Sequence, residues 1–235
     1  MKKGRNLRSV NTDGGVNLQF KLLSAIGIII IVSGHCYHGG MELAYNWFPP
    51  YSYNLALFVF ISGYFYKTDY EENVGKYIWK RTKRLLIPAY LWNIFYGGMV
   101  AFLGLFGFTI GAKPDLYNLF VMPFVDGEAF QYNLGSWFVY PLFLVCIINV
   151  LFRKFLKLIH LDNEFIVLIV YLAIGMIGIN TAIGNPTAIN GIVKLLVRTM
   201  FFLPCYEFGR FYKAVLERKT LSIMLRTLQL YLLYS

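Results

Sequence analysis

Residues 164–181 read EFIVLIVYLAIGMIGINT, an apolar run whose single charge is the Glu164 carboxylate at its first position. A membrane-spanning helix needs about 20 mostly apolar residues, so a run of this length with so little charge predicts one span. The segment after it, residues 182–191, is uncharged and contains Gly184-Asn185-Pro186, which is typical of a turn. We therefore predict a helix that crosses the membrane and ends at this turn.

Comparable apolar runs recur along the whole chain. Hydrophobic residues make up 57% of the 235 positions and charged residues only 14%, whereas an average soluble domain is about 45–50% apolar and about 25% charged. A soluble core of this size could not absorb so much apolar surface. We expect an all-α, polytopic transmembrane helix bundle of about six complete spans plus a truncated seventh, at residues 18–37, 51–66, 85–110, 136–151, 164–181, 192–212 and 221–235.

The basic residues predict the orientation of this bundle. The net charge is +10, and Lys and Arg gather before the first run, between the second and third, and after the fourth and sixth. The intervening loops hold only Lys113. Because cytoplasmic loops carry an excess of Lys and Arg, we expect a cytoplasmic basic tail at 1–17, a transmembrane domain at 18–235 and a plasma-membrane location. The same distribution makes topology a better explanation of the charge than nucleic-acid binding.

The three cysteines, Cys36, Cys146 and Cys205, are far apart and form no Cys-x-x-Cys pair. We therefore expect neither a disulfide framework nor a metal site. Ionisable side chains within apolar runs are costly, so they are the first functional candidates.

His35 lies near the end of the first run, and its neutral imidazole could accept a proton from a hydroxyl group near neutral pH. Lys21 precedes it by fourteen residues, which places the two on one helix face, about 40° apart and about 21 Å apart in depth. The alternatives are a histidine that contacts lipid headgroups and a lysine that extends to the cytoplasmic interface.

Arg81 and Arg84 are three residues apart and so lie on the same side of a helix. Guanidinium groups at a membrane edge can bind phosphates through paired hydrogen bonds. The alternative is an ordinary cluster of positive charge on the cytoplasmic side.

Three more residues are candidates for contact with a substrate. Ser62 and the adjacent Gly63 lie among aromatic residues, where small residues also favour close helix packing. Trp137 lies near an interface, where it could equally belong to an aromatic belt. Arg198 lies deep in the sixth run and could line a polar cavity. In the same run, Glu207 and Arg210 are spaced to form an ion pair.

Four motifs occur in a characteristic order. They are Gly34-His35 after the apolar run 26–32, the segment FVFISGYF at 58–65, the segment from Tyr77 through KRTKRLLIP at 80–88, and Trp137-Phe138 at the start of a later run. In this respect the chain resembles the acyltransferase family 3 membrane proteins, which transfer acyl groups from acyl-coenzyme A (acyl-CoA) to surface glycans and related acceptors. The similarity covers most of residues 18–213.

The resemblance implies roles for several of these residues. His35 would be the essential histidine, the base for the acceptor hydroxyl. Family members often carry Arg or Lys where this chain has Ser24, so Lys21, about one helical turn earlier, is the candidate charge partner. Arg81 and Arg84 would bind the donor, acyl-CoA, with acetyl-CoA as the expected form and no metal required.

We therefore expect an integral membrane O-acyltransferase that acts on a cell-surface glycan or its lipid-linked precursor, with Ser62, Trp137 and Arg198 as substrate-binding residues. Its expected partners are the lipid bilayer, acyl-CoA and the sugar acceptor, without nucleic acid, and homo-oligomerisation is left open. One alternative is a transporter or flippase of a lipid-linked sugar, with Lys21, Lys194 and Arg198 as cavity charges. Another is an inactive fragment that pairs with a second membrane protein.

Overall fold

A computed structural model describes residues 18–36, 50–126 and 130–217, and every regular element in these ranges is a helix. The all-α prediction is confirmed for this part of the chain. Internal contacts define two compact units, with the boundary between Phe58 and Val59. The helices are α1 (Leu18–Cys36), α2 (Pro50–Tyr64), α3 (Val74–Arg81), α4 (Ile87–Gly104), α5 (Met122–Val125), α6 (Val139–Leu158), α7 (Glu164–Gly184) and α8 (Gly191–Phe211).

Three helical segments in the described ranges are long and apolar enough to cross a membrane. They are Val74–Gly104, Gly135–Leu158 and Glu164–Gly184, and shorter apolar stretches occupy Gln19–Val32 and Asn54–Tyr64. The predicted number of about six complete spans is therefore not confirmed. Helix α8 has 21 residues but carries four charged ones, Lys194, Arg198, Glu207 and Arg210.

Helix α7 begins at Glu164, as predicted, and ends at Gly184, three residues beyond the predicted end of the span at residue 181. The Asn163 side chain accepts a hydrogen bond from the backbone N–H of Phe165 at 2.9 Å, which caps the first turn. Glu164 places a negative charge in that turn, where the helix dipole favours it. The helix ends at Gly184, and Pro186 follows.

Helices α3 and α4 form one continuous helix of 31 residues, which begins earlier than the predicted third run at 85–110 and ends at Gly104. The two are joined by a π-helical turn, Thr82–Leu86, in which the N–H of Ile87 donates to the carbonyl of Thr82. Pro88 follows directly. Proline lacks an N–H and crowds the carbonyl four residues before it, and a wider turn at this point removes that clash. Arg81 and Arg84 lie on this junction.

Glycines allow the helices of the second unit to approach closely. A Cβ atom on Gly63 would lie 1.8 Å from the carbonyl oxygen of Tyr206, and one on Gly209 would lie 2.0 Å from that of Phe60. The backbones of α2 and α8 are therefore in direct contact. This contact supports the packing role considered for the Ser62-Gly63 pair.

In the first unit, α1 packs against the beginning of α2. Gly27 is buried, and a Cβ atom there would lie 3.0 Å from Cε2 of Phe58. A small residue at this position lets the Phe58 ring lie against the α1 backbone.

Candidate functional site

A pocket of about 220 Å³ opens within the second unit, beside the junction of α3 and α4. Its walls combine basic, aromatic and small side chains. They are Ile61, Ser62, Phe65, Tyr70, Tyr77, Lys80, Arg81 and Arg84. Three of the candidate residues from the sequence, Ser62, Arg81 and Arg84, thus line the same cavity.

The Arg81 guanidinium is held in place by tyrosines. Its Nε donates a hydrogen bond to the Tyr77 hydroxyl at 3.1 Å, and its Cζ lies 5.1 Å from the centre of the Tyr77 ring. The Tyr77 hydroxyl lies 3.4 Å from that of Tyr206 on α8. Cys146 of α6 is fully buried beside these two hydroxyls. Arg81 therefore presents its charge to the pocket from a preorganised position.

The aromatic wall of the pocket is a stack of tyrosine rings. Tyr70 and Tyr77 lie nearly parallel, with ring centres 4.6 Å apart. Tyr66 meets both rings edge-on, at 5.6 Å and 6.1 Å. The Lys80 Nζ lies 5.4 Å from the centre of the Tyr70 ring. The wall thus combines stacked aromatic rings with a lysine ammonium group that lies over one of them.

None of the salt bridges among the described residues includes Lys80, Arg81 or Arg84. Their charge is left available for an anion. Carboxylate partners among the described residues are seen for Arg153, Lys157, Lys194 and Arg210. In the described part of the chain, no group of three or more His, Cys, Asp or Glu side chains could hold a metal ion.

A buried charge cluster joins α6, α7 and α8. The Arg153 side chain is fully buried and pairs with Glu207, and its Nη2 also lies 2.8 Å from Oε2 of Glu164. The other Glu164 oxygen lies 2.8 Å from Nη2 of Arg210, and Asp162 lies 3.5 Å from Nη1 of Arg153. Glu207 and Arg210, which the sequence suggested as a pair, each pair with another helix instead.

Glu71 connects this cluster to the pocket wall. It follows Tyr70 in the chain, is 3% exposed, and accepts a hydrogen bond from the Tyr66 hydroxyl at 3.3 Å. Its other oxygen lies 3.9 Å from Nζ of Lys157. Burial raises the pKa of the Glu71 carboxyl above its ordinary value, and the nearby Asp162 carboxylate raises it further.

Two other candidates, Trp137 and Arg198, lie together at a different place. The Arg198 Cζ is 3.9 Å from the centre of the Trp137 ring, a close cation–π contact, and its Nη1 donates to the Asp126 carbonyl at 3.5 Å. Arg198 precedes Tyr206 on α8 by eight residues, or about 12 Å of helix rise. This pair is therefore separated along α8 from Tyr206, whose hydroxyl lies beside that of Tyr77 at the pocket.

The remaining candidates belong to α1 in the first unit. Lys21 is exposed on this helix. His35 lies in its last turn, and the side chain of His35 is outside the described part of the structure. Their predicted roles stay predictions.

Comparison with known families identifies the type of domain. The model of acyltransferase family 3, described as an acyltransferase domain, matches residues 17–235. The chain belongs to this family. It is accordingly a membrane protein of an acyl-transferring enzyme family, as its apolar helices also indicate. No curated protein and no solved structure matches it.

Within this acyltransferase domain, sequence reasoning missed the residues that complete the pocket and the charge cluster. Tyr70 has no distinguishing signal, because aromatic residues are common at a membrane edge. Lys80 opens the motif at 80–88, but nothing in the sequence separates it from the other positive charges there. Arg153 had been counted as an orientation charge. The available signal for it was the carboxylate of Glu207, which lies in an apolar run and therefore requires a buried cation.

Proposed function

We propose that this acyltransferase moves an acyl group, acetyl in the simplest case, from acyl-CoA to a hydroxyl of a cell-surface glycan or its lipid-linked precursor. The observation that carries the proposal is the pocket lined by Lys80, Arg81 and Arg84, whose charges have no carboxylate partner among the described residues. A phosphorylated donor supplies the missing negative charge.

The protein lies in the plasma membrane, and the donor enters this pocket from the cytoplasmic side. Residues 67–84 hold six Lys and Arg residues, and such clusters favour the cytoplasmic side. Arg81 is fixed by Tyr77 and binds phosphate oxygens through its remaining N–H groups. Arg84 binds the neighbouring phosphate oxygens from the next turn.

The chemical step uses His35 as general base. Its imidazole takes the proton of the acceptor hydroxyl while the hydroxyl oxygen bonds to the thioester carbonyl carbon. The carbon–sulfur bond then breaks, and the proton passes to the coenzyme A sulfur. Lys21 shares the helix face of His35 at a depth about 21 Å away, which suits a site that substrates reach from both sides of the membrane. Ser62, Trp137 and Arg198 bind the substrates.

Donor binding is the first test. The detergent-purified protein is titrated with acetyl-CoA, in parallel with the Arg81→Ala/Arg84→Ala double variant. We expect the double variant to lose at least about tenfold in affinity, because each lost charged hydrogen bond is worth about 1.5–3 kcal/mol.

The matched control is Lys67→Ala/Lys76→Ala, which removes the same charge from exposed positions outside the pocket. It should bind acetyl-CoA nearly as well as the unmodified protein. Equal losses in the two double variants would mean that net charge alone attracts the donor, and the proposed site would be wrong.

The catalytic role of His35 needs a turnover measurement. His35→Ala should lower acyl transfer by about 10²–10⁴, the usual contribution of a positioned base, with acetyl-CoA affinity unchanged. Near-normal turnover of His35→Ala would refute the mechanism. Movement of a lipid-linked sugar across vesicles without release of free coenzyme A would favour a transporter instead.

A further inference from the structure

The size of the basic pocket limits how much of a donor it can hold. Pockets that enclose a drug-sized ligand usually measure about 300–1,000 Å³, whereas this one measures about 220 Å³. An acyl-CoA is larger than most drugs. The pocket therefore accommodates one end of the donor, and the rest extends beyond it.

The charges of the pocket select which end this is. The acyl-pantetheine arm of the donor carries amides and a thioester and has no charge. The adenosine end carries a diphosphate and a 3′-phosphate. Lys80, Arg81 and Arg84 line the pocket without a carboxylate partner in the described part of the chain. Three such cations complement only the phosphorylated end.

The aromatic wall adds a surface suited to a nucleobase. Tyr70 lines the pocket and is braced by Tyr77 in a parallel stack and by Tyr66 edge-on. A braced ring loses little conformational entropy when a ligand packs on it. Nucleobases stack on aromatic side chains regardless of their hydrogen-bonding pattern. Nζ of Lys80 lies over the Tyr70 ring, 5.4 Å from its centre, so a nucleobase that packs on this ring takes the place of the flexible lysine side chain, which then reaches the phosphates.

We propose that the pocket holds the phosphorylated adenosine end of the donor, with Tyr70 packed against the adenine ring and Lys80 as a third phosphate-binding residue beside Arg81 and Arg84. This inference rests on the proposed function, because it assigns one part of the acyl-CoA donor to these side chains. Tyr70 then distinguishes a nucleotide-bearing donor from a short acyl-pantetheine thioester.

Competition between fragments of the donor tests which end is bound. The purified protein is loaded with labelled acetyl-CoA and challenged with adenosine 3′,5′-bisphosphate or with pantetheine. We expect the bisphosphate to displace the label and pantetheine to leave it bound. Displacement by pantetheine but not by the bisphosphate would overturn the assignment.

Substitutions test the two new residues. Tyr70→Leu should weaken the bisphosphate about tenfold, the scale of one lost stacking contact, while Tyr70→Phe keeps the ring and restores affinity. Lys80→Met should weaken the bisphosphate and flatten the salt dependence of binding. The charge-matched control is Lys76→Met, because Lys76 is exposed, lies one turn earlier and is outside the pocket. It should change neither the bisphosphate affinity nor the salt dependence of binding.

A thermal unfolding midpoint for each variant separates loss of binding from loss of folding. Folded Tyr70→Leu and Lys80→Met variants with unchanged bisphosphate affinity would overturn the inference even if acetyl-CoA binds through Arg81 and Arg84. If instead the bisphosphate binds and acetyl-CoA does not, the nucleotide pocket stands and the acyl-CoA-dependent function fails.

Discussion

Arg153 shows how a single side chain connects three helices. It is fully buried near the end of α6 and is surrounded by three carboxylates that follow α6 in sequence, Asp162 before α7, Glu164 on α7 and Glu207 on α8. Removing one partner from a buried ion pair leaves an uncompensated charge, which costs more than the pair itself contributes. The cluster therefore specifies how α6, α7 and α8 dock.

Replacement of Arg153 by methionine tests this interpretation. Arg153→Met should destabilise the protein by about 3–5 kcal/mol, because it leaves the buried Glu207 carboxylate unpaired. Lys154→Met, on the exposed neighbour, should have little effect on the unfolding midpoint in detergent. The double variant Arg153→Met/Glu207→Gln should recover part of the loss, and no recovery would argue against pairing of the two.

Glu71 predicts a pH dependence of stability. Its folded pKa is raised, chiefly by burial, so its stabilising contribution is full below the unfolded value of about 4.3 and is lost as pH rises through the folded value. Glu71→Gln removes this titration. The stability of Glu71→Gln relative to the unmodified protein should therefore increase as pH rises above about 4.3 and then level off. A difference that stays constant with pH would contradict the raised pKa.

At the scale of the helices, glycine contacts decide how near α2 and α8 can lie. Gly63 and Gly209 bring the two backbones into contact. The same α2 turn carries Ser62 of the pocket, and Tyr206 of α8 places its hydroxyl 3.4 Å from that of Tyr77. The π-helical turn before Pro88 carries Arg84, which also lines the pocket. The pocket is thus a consequence of helix spacing.

A methyl group on Gly63 should separate these helices. Gly63→Ala places a Cβ atom 1.8 Å from the Tyr206 carbonyl oxygen, so the backbones must shift, and we expect a loss of several kcal/mol of stability together with weaker acetyl-CoA binding. Gly98→Ala is the matched control, because its Cβ would meet nothing within 4 Å. It should be neutral or slightly stabilising, since alanine favours a helix over glycine by about 1 kcal/mol.

For the molecule as a whole, the distribution of charge is the feature that sets orientation. Lys113 is the single basic residue that we place outside, whereas Lys154 follows the fourth predicted span inside. Both side chains are exposed in the structure. This makes them suitable positions for probing which side of the membrane each segment faces.

Cysteine labelling tests this orientation. With the native cysteines replaced, Lys113→Cys should react with a membrane-impermeant thiol reagent in right-side-out vesicles. Lys154→Cys should react only after the vesicles are opened. The physical reason is the retention of Lys-rich and Arg-rich loops in the cytoplasm. The reverse pattern would place the donor pocket on the outer face and remove its access to cytoplasmic acyl-CoA.

Local chemistry made much of the fold predictable. The apolar runs predicted where helices lie, and the cap at Asn163 and the turn after Gly184 set the limits of α7. Helix boundaries that lie near charged residues were less predictable. Helix α6 continues beyond residue 151 to Leu158, because Arg153 finds buried partners that the apolar pattern does not reveal.

The sequence by itself determined an all-helical membrane protein and its family, and it singled out Arg81 and Arg84 as candidates for phosphate binding. Only the tertiary structure decided that Ser62, Arg81 and Arg84 share one pocket with Tyr70 and Lys80, while Trp137 and Arg198 pair elsewhere. The reason is physical. Periodicity and composition describe one helix at a time, but which faces meet depends on close contacts between helices, such as those at Gly63 and Gly209.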